Sequence, residues 1–307
     1  MSIQSTLKTA QKILQATSPT SALDPVVFLC AVLDQTKEFI FANPNFEVSN
    51  EQEKKFWGMI ERRKKNEPVA YIINKKEFFG LDFFINKNVL IPRPETEMLV
   101  EEIIHNLNCE LNCDHSIDVI DVGTGSGCII SSIAKYLVSN NLYCSENILP
   151  SIEQVKSQKL KVKRTTKYNF FAIDSSAESL EVAKKNFKTH GVNFIQTLQG
   201  NLLKPYLKIK NTDNTVVIIA NLPYLNDEEY ENTSPDVKNF EPKSALYGGV
   251  DGLKYIKELL EQIAKNGLNK TKIVMEISPS QVAFLQNNGF EIKKDLFGVS
   301  RYAIFIT

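Results

Sequence analysis

The sequence predicts an α/β protein: a mostly parallel sheet covered by helices on both faces, preceded by a small helical bundle. Three observations carry this. Residues 1 to about 75 place apolar side chains at three- and four-residue spacing and show few strand signals. From about residue 92, short β-branched and aromatic runs alternate with helical segments, the pattern of parallel strands joined by crossover helices. Between one such run and the next helix stands DVIDVGTGSGCII, with Gly123, Gly125 and Gly127 where a strand has to turn sharply.

Taken in order, STLKTAQKILQA, LDPVVFLCAVLD and SNEQEKKFWGMIERRKK are amphipathic helices, the third with Ser49 or Asn50 as its cap. The run ERRKK reads as a solvated helix face. Residues 76–91, KEFFGLDFFINKNVLI, read as a β-hairpin around a glycine turn, linking a 1–75 domain to a 92–307 domain. Strands are expected at 116–122, 168–173, 193–198, 215–220, 272–277, 290–295 and 301–306, and helices at 127–138, 177–189, 253–266 and 279–287. The last two strands are close in sequence, so the sheet should end in an antiparallel edge. The stretch 139–167 is far longer than the about 2 to 6 residues usual between helix and strand, and reads as an insertion with a basic tail, KLKVKRTTK.

The 307 residues are 43% hydrophobic and 23% charged, with zero formal net charge. That balance fits a globular protein and not a strong non-specific binder of nucleic acid, which needs a basic excess; no stable nucleic-acid partner is expected. No apolar run approaches the roughly 18 residues of a membrane span. The first residues lack a secretory h-region and read as an ordinary amphipathic helix, so a cytoplasmic location is expected. Five cysteines, irregularly spaced, point to reduced thiols. His105, Cys109 and Cys113 lie four apart, with His115 just beyond; this reads as a half-buried helix end in preference to a metal site, and no metal is expected.

The glycine loop lets backbone N–H groups approach a ligand, and a nucleoside held there needs an acid at the end of the second strand. FAID supplies Asp174 for that role, displaced along the chain by the insertion. Asp121, just ahead of the glycines, stands within reach of a ligand's ammonium or a loop amide. A nicotinamide loop has the form G-x-G-x-x-G; here the third glycine comes one residue early, and the shorter form after an acidic strand end looks like that of a methyltransferase.

The strand TVVIIA ends in Asn221, Leu222, Pro223 and Tyr224. Its carboxyl end faces the same crevice as the glycine loop. The Asn221 amide oxygen can accept from a substrate N–H. Pro223 keeps Leu222 extended, which can turn the Leu222 carbonyl to the site as a second acceptor. Tyr224 adds a flat face. Two acceptors and a ring suit a planar –NH₂, either an amide or an exocyclic base amine.

With these residues in place the chain resembles the release-factor glutamine N5-methyltransferases, the PrmC/HemK family, over nearly its whole length. The resemblance rests on VLIPRPETEMLVE, residues 89–101, with NEPVAYIINKKEFFGLDF, DVGTGSGCI, NLPY, EPKSALYGGVDGLKYI and DLFGVSRYAIF in that order. It implies a helical substrate-binding domain and a seven-stranded Rossmann-like class I methyltransferase domain. It implies S-adenosyl-L-methionine as cofactor, and as partners class I peptide chain release factors, methylated on the Gln of their Gly-Gly-Gln motif. By the resemblance Gly123, Thr124, Gly125, Ser126 and Gly127 line the cofactor and Asp174 holds its ribose. Asn201 and Leu202 flank the adenine, and Arg93 and Thr96 approach the methionine end. Asn221 also borders the cofactor, and with the Leu222 carbonyl, held by Pro223, it binds the target amide against Tyr224. Three positions depart from the family pattern: Leu222 stands where Pro is usual, Asn201 where Asp is usual, and Ser278 where Gly is usual. Asn-Leu-Pro-Tyr is also the form of enzymes resembling RNA adenine N6-methyltransferases, which would need a basic groove and leave the Pro-Arg-Pro-Glu-Thr-Glu segment without a role. A cofactor-binding scaffold without catalysis is the rival from a different class.

Overall fold

The structure is a computed structural model that describes residues 1–109, 116–140, 167–211, 213–268 and 270–306. It divides into two compact units. One comprises Met1–Lys75, Ile85–Lys87 and Thr233–Glu241; the other comprises Lys76–Phe84, Asn88–Asn232 and Pro242–Thr307.

The first unit is helical: α1 (Ile3–Leu14), α2 (Asp24–Leu33), α3 (Lys37–Ala42), α4 (Asn50–Lys64) and α5 (Val69–Ile73). Their ends follow from local chemistry. Ser2 caps α1, Pro25 sits in the first turn of α2, and Ser49 and Gln52 form a reciprocal capping box on α4. Apolar faces close over Ile3, Leu14, Phe28, Leu29, Phe56 and Ile60. The charge run on α4 is not wholly solvated, which corrects the sequence reading. Arg63 is buried, its Nε donating to Asp24 Oδ2 at 2.7 Å, and Ser18 and Thr20 hydroxyls donate to the same carboxylate at 2.7 and 2.6 Å. A buried charge survives because its partner and hydrogen bonds replace the lost water.

The second unit opens with a hairpin, β1 (Lys75–Phe78) and β2 (Leu81–Phe84), turning through Phe79 and Gly80 with φ of 52° and 71°. Positive φ at both central residues gives a two-residue turn whose twist matches the strands. Then come α6 (Glu97–Cys109), β3 (Ile117–Val122), α7 (Cys128–Ser139), β4 (Tyr168–Asp174), α8 (Ala177–His190), β5 (Gln196–Gln199), β6 (Thr215–Ala220) and α9 (Asp227–Glu231). After α10 (Pro235–Phe240), which clusters with the first unit, follow α11 (Lys254–Lys265), β7 (Thr271–Glu276), α12 (Val282–Asn287), β8 (Glu291–Lys294) and β9 (Ser300–Ile306).

The seven strands lie in the order β5-β4-β3-β6-β7-β9-β8. The first five pair in parallel, and β9 runs antiparallel to both neighbours. This is the mostly parallel sheet with an antiparallel edge that the alternation of strands and helices predicts, with the seven strands of the Rossmann-like domain that the family resemblance implies. Every residue of β3 is buried, as a central parallel strand requires. Ile117 and Val119 face one layer with α6, α7 and α8, while Ile120 and Val122 face the other with α11 and α12. Asn140, which ends α7, and Lys167, whose carbonyl accepts from the Ile117 N–H, both stand at the amino edge of the sheet. The insertion expected between them lies outside the described residues, apart from its two ends.

Gly127 starts α7 at φ 76°, and a Cβ there would stand 2.6 Å from Phe187 Cε1 and 3.2 Å from Ala183 Cβ on α8. Gly127→Ala therefore adds left-handed strain, about 1 kcal/mol, to overpacking of about 1–3 kcal/mol. The expected result is a loss of about 3 kcal/mol in urea unfolding; a loss under about 1 kcal/mol would show that α8 yields.

Candidate active site

Strand register assembles the site. Val122 on β3 is paired with Ile173 on β4 and Ala220 on β6. The next residue on each strand is Gly123, Asp174 and Asn221, so three neighbouring strands deliver these residues at one level of the carboxyl edge. Strand order reverses at β3, with β4 on one side and β6 on the other, which is where open α/β sheets bind ligands.

The glycine loop is tied down by its neighbours. Gly123 and Thr124 N–H groups donate to the Ile173 carbonyl at 2.8 and 2.9 Å. The Gly125 N–H donates to Asp174 Oδ2 at 3.0 Å and the Ser176 N–H to Asp174 Oδ1 at 2.9 Å. Each Asp174 oxygen thus keeps a lone pair for a further donor. Burial raises its pKa, and those N–H groups oppose the rise. The buried Ser126 offers its carbonyl to Asn186 Nδ2 at 2.8 Å, and the same Asn186 amide exchanges two bonds with the backbone of Phe84. One fully buried side chain of α8 so fastens the hairpin and the glycine loop together.

Asp121 is wholly buried beneath the loop. Its Oδ2 accepts from the Thr124 hydroxyl at 2.7 Å, and its Oδ1 has no partner. Burial pushes the Asp121 carboxyl up to about 7; the Thr124 bond opposes this and the charge of Asp174 adds to it. An unpartnered buried acidic oxygen keeps its full capacity to accept from a further donor.

Asn201 donates from Nδ2 to Glu258 Oε1 of α11 at 2.6 Å, which orients its amide. Leu202 next to it holds φ 51°, a left-handed conformation that costs a non-glycine residue about 1–2 kcal/mol. The turn is held because the Leu203 N–H is captured by Gln262 Oε1 at 2.9 Å.

Beyond β6 the acceptor segment is built around a residue the sequence reading did not single out, Glu276 at the end of β7. Asn221 Nδ2 donates to Glu276 Oε2 at 2.8 Å and to Thr96 Oγ1 at 3.3 Å. The Thr96 hydroxyl donates to the same Oε2 at 2.6 Å, and the Tyr224 hydroxyl stands 3.4 Å from Oε1. Burial raises the pKa of Glu276, with the Thr96 and Tyr224 bonds opposing; burial and the Glu276 charge likewise raise that of Tyr224. Asn221 Oδ1 receives no bond from the described residues. Leu222 buries its side chain on the loop, with Cδ2 3.5 Å from where a Gly123 Cβ would be. Pro223 and Tyr224 run against Gly248 and Gly252: a Cβ on Gly248 would lie 2.6 Å from the Pro223 carbonyl oxygen, and one on Gly252 would collide with that of Tyr224. Gly248 and Gly252 of YGGVDG are thus the floor under the Asn-Leu-Pro-Tyr segment.

Thr96 belongs to this cluster through its hydroxyl. Arg93, extended ahead of the 3₁₀ turn Pro94–Thr96, acts on the Tyr224 phenol through its charge. Ser278 caps the turn after β7 with Gln281, and its hydroxyl donates to Glu229 of α9 at 2.8 Å, tying the segment after Tyr224 to the segment after Glu276. Its neighbour Ser280 donates to the same oxygen at 3.1 Å. Among the described residues no group of three or more His, Cys, Asp or Glu is placed to hold a metal ion. Of the sequence cluster weighed for that role, His105 is described, whereas Cys113, His115 and the side chain of Cys109 lie outside the described residues.

Residues 5–73 match the family model described as the PrmC N-terminal domain. A Bacillus cereus protein named release factor glutamine methyltransferase is 32% identical over 281 residues, covering 92% of this chain and 88% of that one. A Clostridium acetobutylicum protein of the same name is 31% identical over 318 residues, covering 100% and 99%. One from Coxiella burnetii is 30% identical over 311 residues, covering 99% and 98%.

Proposed function

This chain belongs to the release factor glutamine methyltransferase family, and from that premise we propose that it methylates the side-chain amide nitrogen, N5, of the Gln in the Gly-Gly-Gln motif of class I peptide chain release factors, with S-adenosyl-L-methionine as donor. The observation that carries the reading is Asn221: its Nδ2 is spent on Glu276 and Thr96, so what remains for a ligand is an acceptor oxygen, one residue along the chain from the carbonyl of Leu222. A primary amide presents two N–H donors to such a pair.

The residues present fit the cofactor. Asp121 offers a buried, unpartnered carboxylate oxygen for its ammonium, and Asp174 has remaining acceptor capacity for its ribose hydroxyls. Gly123 to Gly127 provide the approach, Asn201 and Leu202 the adenine end, and Arg93 and Thr96 the methionine end. When bound, the cofactor supplies a sulfonium methyl already activated for transfer. The protein's part is alignment and the exclusion of water. An amide nitrogen is a poor nucleophile because its lone pair is delocalised. Asn221 Oδ1 and the Leu222 carbonyl, accepting its two hydrogens, favour a more tetrahedral nitrogen and stabilise the positive charge that develops there. The Tyr224 ring backs the planar group.

The helical unit takes the role of substrate recognition in this proposal. Release factors act in the cytoplasm, which is where the reaction is assigned; no helix of the described residues is long and apolar enough to cross a membrane.

The test is incubation with methyl-labelled S-adenosylmethionine and either a class I release factor, the same factor with its motif Gln changed to Asn, or bare ribosomal RNA. Label is expected on the unaltered factor alone. Label on RNA and none on the factor would transfer the site to base methylation.

A further inference from the structure

Glu276 has no role in the proposal above, yet every polar group of the acceptor cluster turns toward it. We infer that Glu276 is a positioning residue for methyl transfer: its carboxylate fixes the Asn221 side chain in the one amide orientation that leaves Oδ1 for the target. The inference rests on the functional reading just given and adds to it the group that sets the geometry of the acceptor.

A side-chain amide has two ends of nearly equal size and opposite polarity, and rotation by half a turn exchanges them. Nothing in Asn221 itself chooses. An ionised carboxylate only accepts, so the end that faces it must be the NH₂. At 2.8 Å from Oε2 the Asn221 Nδ2 satisfies this, whereas the flipped amide would set two oxygens against each other. Thr96 enforces the same choice. Its hydroxyl hydrogen goes to Glu276 Oε2 at 2.6 Å, which leaves a lone pair toward Asn221 Nδ2 at 3.3 Å. The second carboxylate oxygen takes the Tyr224 hydroxyl at 3.4 Å, so one side chain sets both polar ends of the Asn-Leu-Pro-Tyr segment. Glu276 can do this because it terminates β7, the strand beside β6 in the sheet, and is buried there.

The charge state matters for the same reason. Protonated, Glu276 gains a donor and can bind Asn221 Oδ1, removing the acceptor from use. The groups facing it are Thr96 and Glu95 from the turn before α6, Asn221 and Tyr224 after β6, and Arg301 on β9; Glu95 favours protonation and Arg301 opposes it. Activity is therefore expected to fall as pH drops through the Glu276 titration.

The variant that tests this is Glu276→Gln, which keeps the volume and removes the acceptor-only character. Its kcat on the release factor is expected to fall about 10²-fold, the effect of a misplaced reacting group, with the KM for S-adenosylmethionine within about 2-fold of wild type. The acid limb of the wild-type kcat profile should be absent from it. Glu276→Asp, which restores an acceptor-only group, should recover about tenfold of the loss. A role in packing alone would lower unfolding temperature in both variants and leave the pH limb in place. Independently of turnover, the Asn221 side-chain NH₂ resonance, assigned by its loss in Asn221→Ala, should move with pH in wild type and stay fixed in Glu276→Gln. A Glu276→Gln enzyme with kcat within about 3-fold of wild type, or a wild-type Asn221 signal that ignores pH, overturns the inference. A wild-type chain that leaves the release factor unlabelled overturns the functional reading instead, and the Asn221 signal still reports the amide orientation.

Discussion

Asn221→Ala is expected to lower kcat on the release factor by about 10³-fold while the affinity for S-adenosylmethionine stays within about 3-fold. The magnitude is that of removing one preorganised hydrogen-bond partner aimed at developing charge, about 10²–10³ in rate, with loss of substrate orientation added. Of the residues assigned to the cofactor, the glycine loop, Asp121, Asp174, Asn201, Leu202 and Arg93 make no bond to the Asn221 side chain, and Thr96 meets it only at 3.3 Å. The fold should also survive. Glu276 keeps Thr96 and Tyr224 as donors, so the cost to stability is the two bonds of the Asn221 amide, the one to Thr96 long, about 2–3 kcal/mol together. Single-turnover methylation, calorimetric binding and a thermal melt on the same preparation separate the three effects. Activity within tenfold of wild type would remove Asn221 from the reaction and with it the amide-clamp reading.

Asp121→Asn should stabilise the fold at pH 8 and at the same time cost cofactor affinity at least tenfold. The stability half follows from the carboxyl being pushed up to about 7 from its ordinary 3.8. A group raised in the folded state contributes stability that is present below the unfolded value and lost as pH rises through the folded one. Between about pH 4 and 7 the unfolded chain has lost a proton that the folded chain still holds, so wild-type stability declines across that window and levels off above it. Three pKa steps correspond to about 4 kcal/mol. An unpartnered amide at the same place returns about 1–2 kcal/mol of that, leaving a net gain of about 2 kcal/mol at pH 8 and none near pH 4. The affinity half follows from the lost charge opposite the ligand's ammonium. Wild-type binding should tighten from pH 6 to 8 as Asp121 ionises, and the variant's should not. Equal unfolding free energies at pH 8 would show that burial does not raise the Asp121 carboxyl, and the same pH dependence of binding in both proteins would show that its unpartnered oxygen is not the ammonium seat.

The parts of this molecule written in local pattern were open to reading from the sequence. Alternation of apolar runs with helical stretches located β3, β4, β6, β7 and their crossover helices to within a few residues, because central strands and their covering helices are decided by burial along one short segment. The glycine loop was legible for the same reason, since a turn between strand and helix announces itself in its own residues. Glu276 was not. Its partners are 180 and 55 residues away, and a lone acid ending an apolar strand carries no signal of what it will meet. Arg63 was misread because a run of charges gives no sign of which member turns inward to Asp24, 39 residues earlier. Asn186 and the short helices α3, α9 and α10 escaped because few residues and long-range contacts decide them. Ser278 looked like a bare departure until its hydroxyl was found on Glu229.

The two edges of the sheet lead opposite lives. At the carboxyl edge Gly123, Asp174 and Asn221 are held level by register, and a single residue added before any of them would throw its side chain to the other face. At the amino edge Asn140 ends α7 and Lys167 leads into β4, the full length of the strands away from those three residues. A dye carried at Asn140 or Lys167 would therefore report from the end of the sheet opposite the reacting residues.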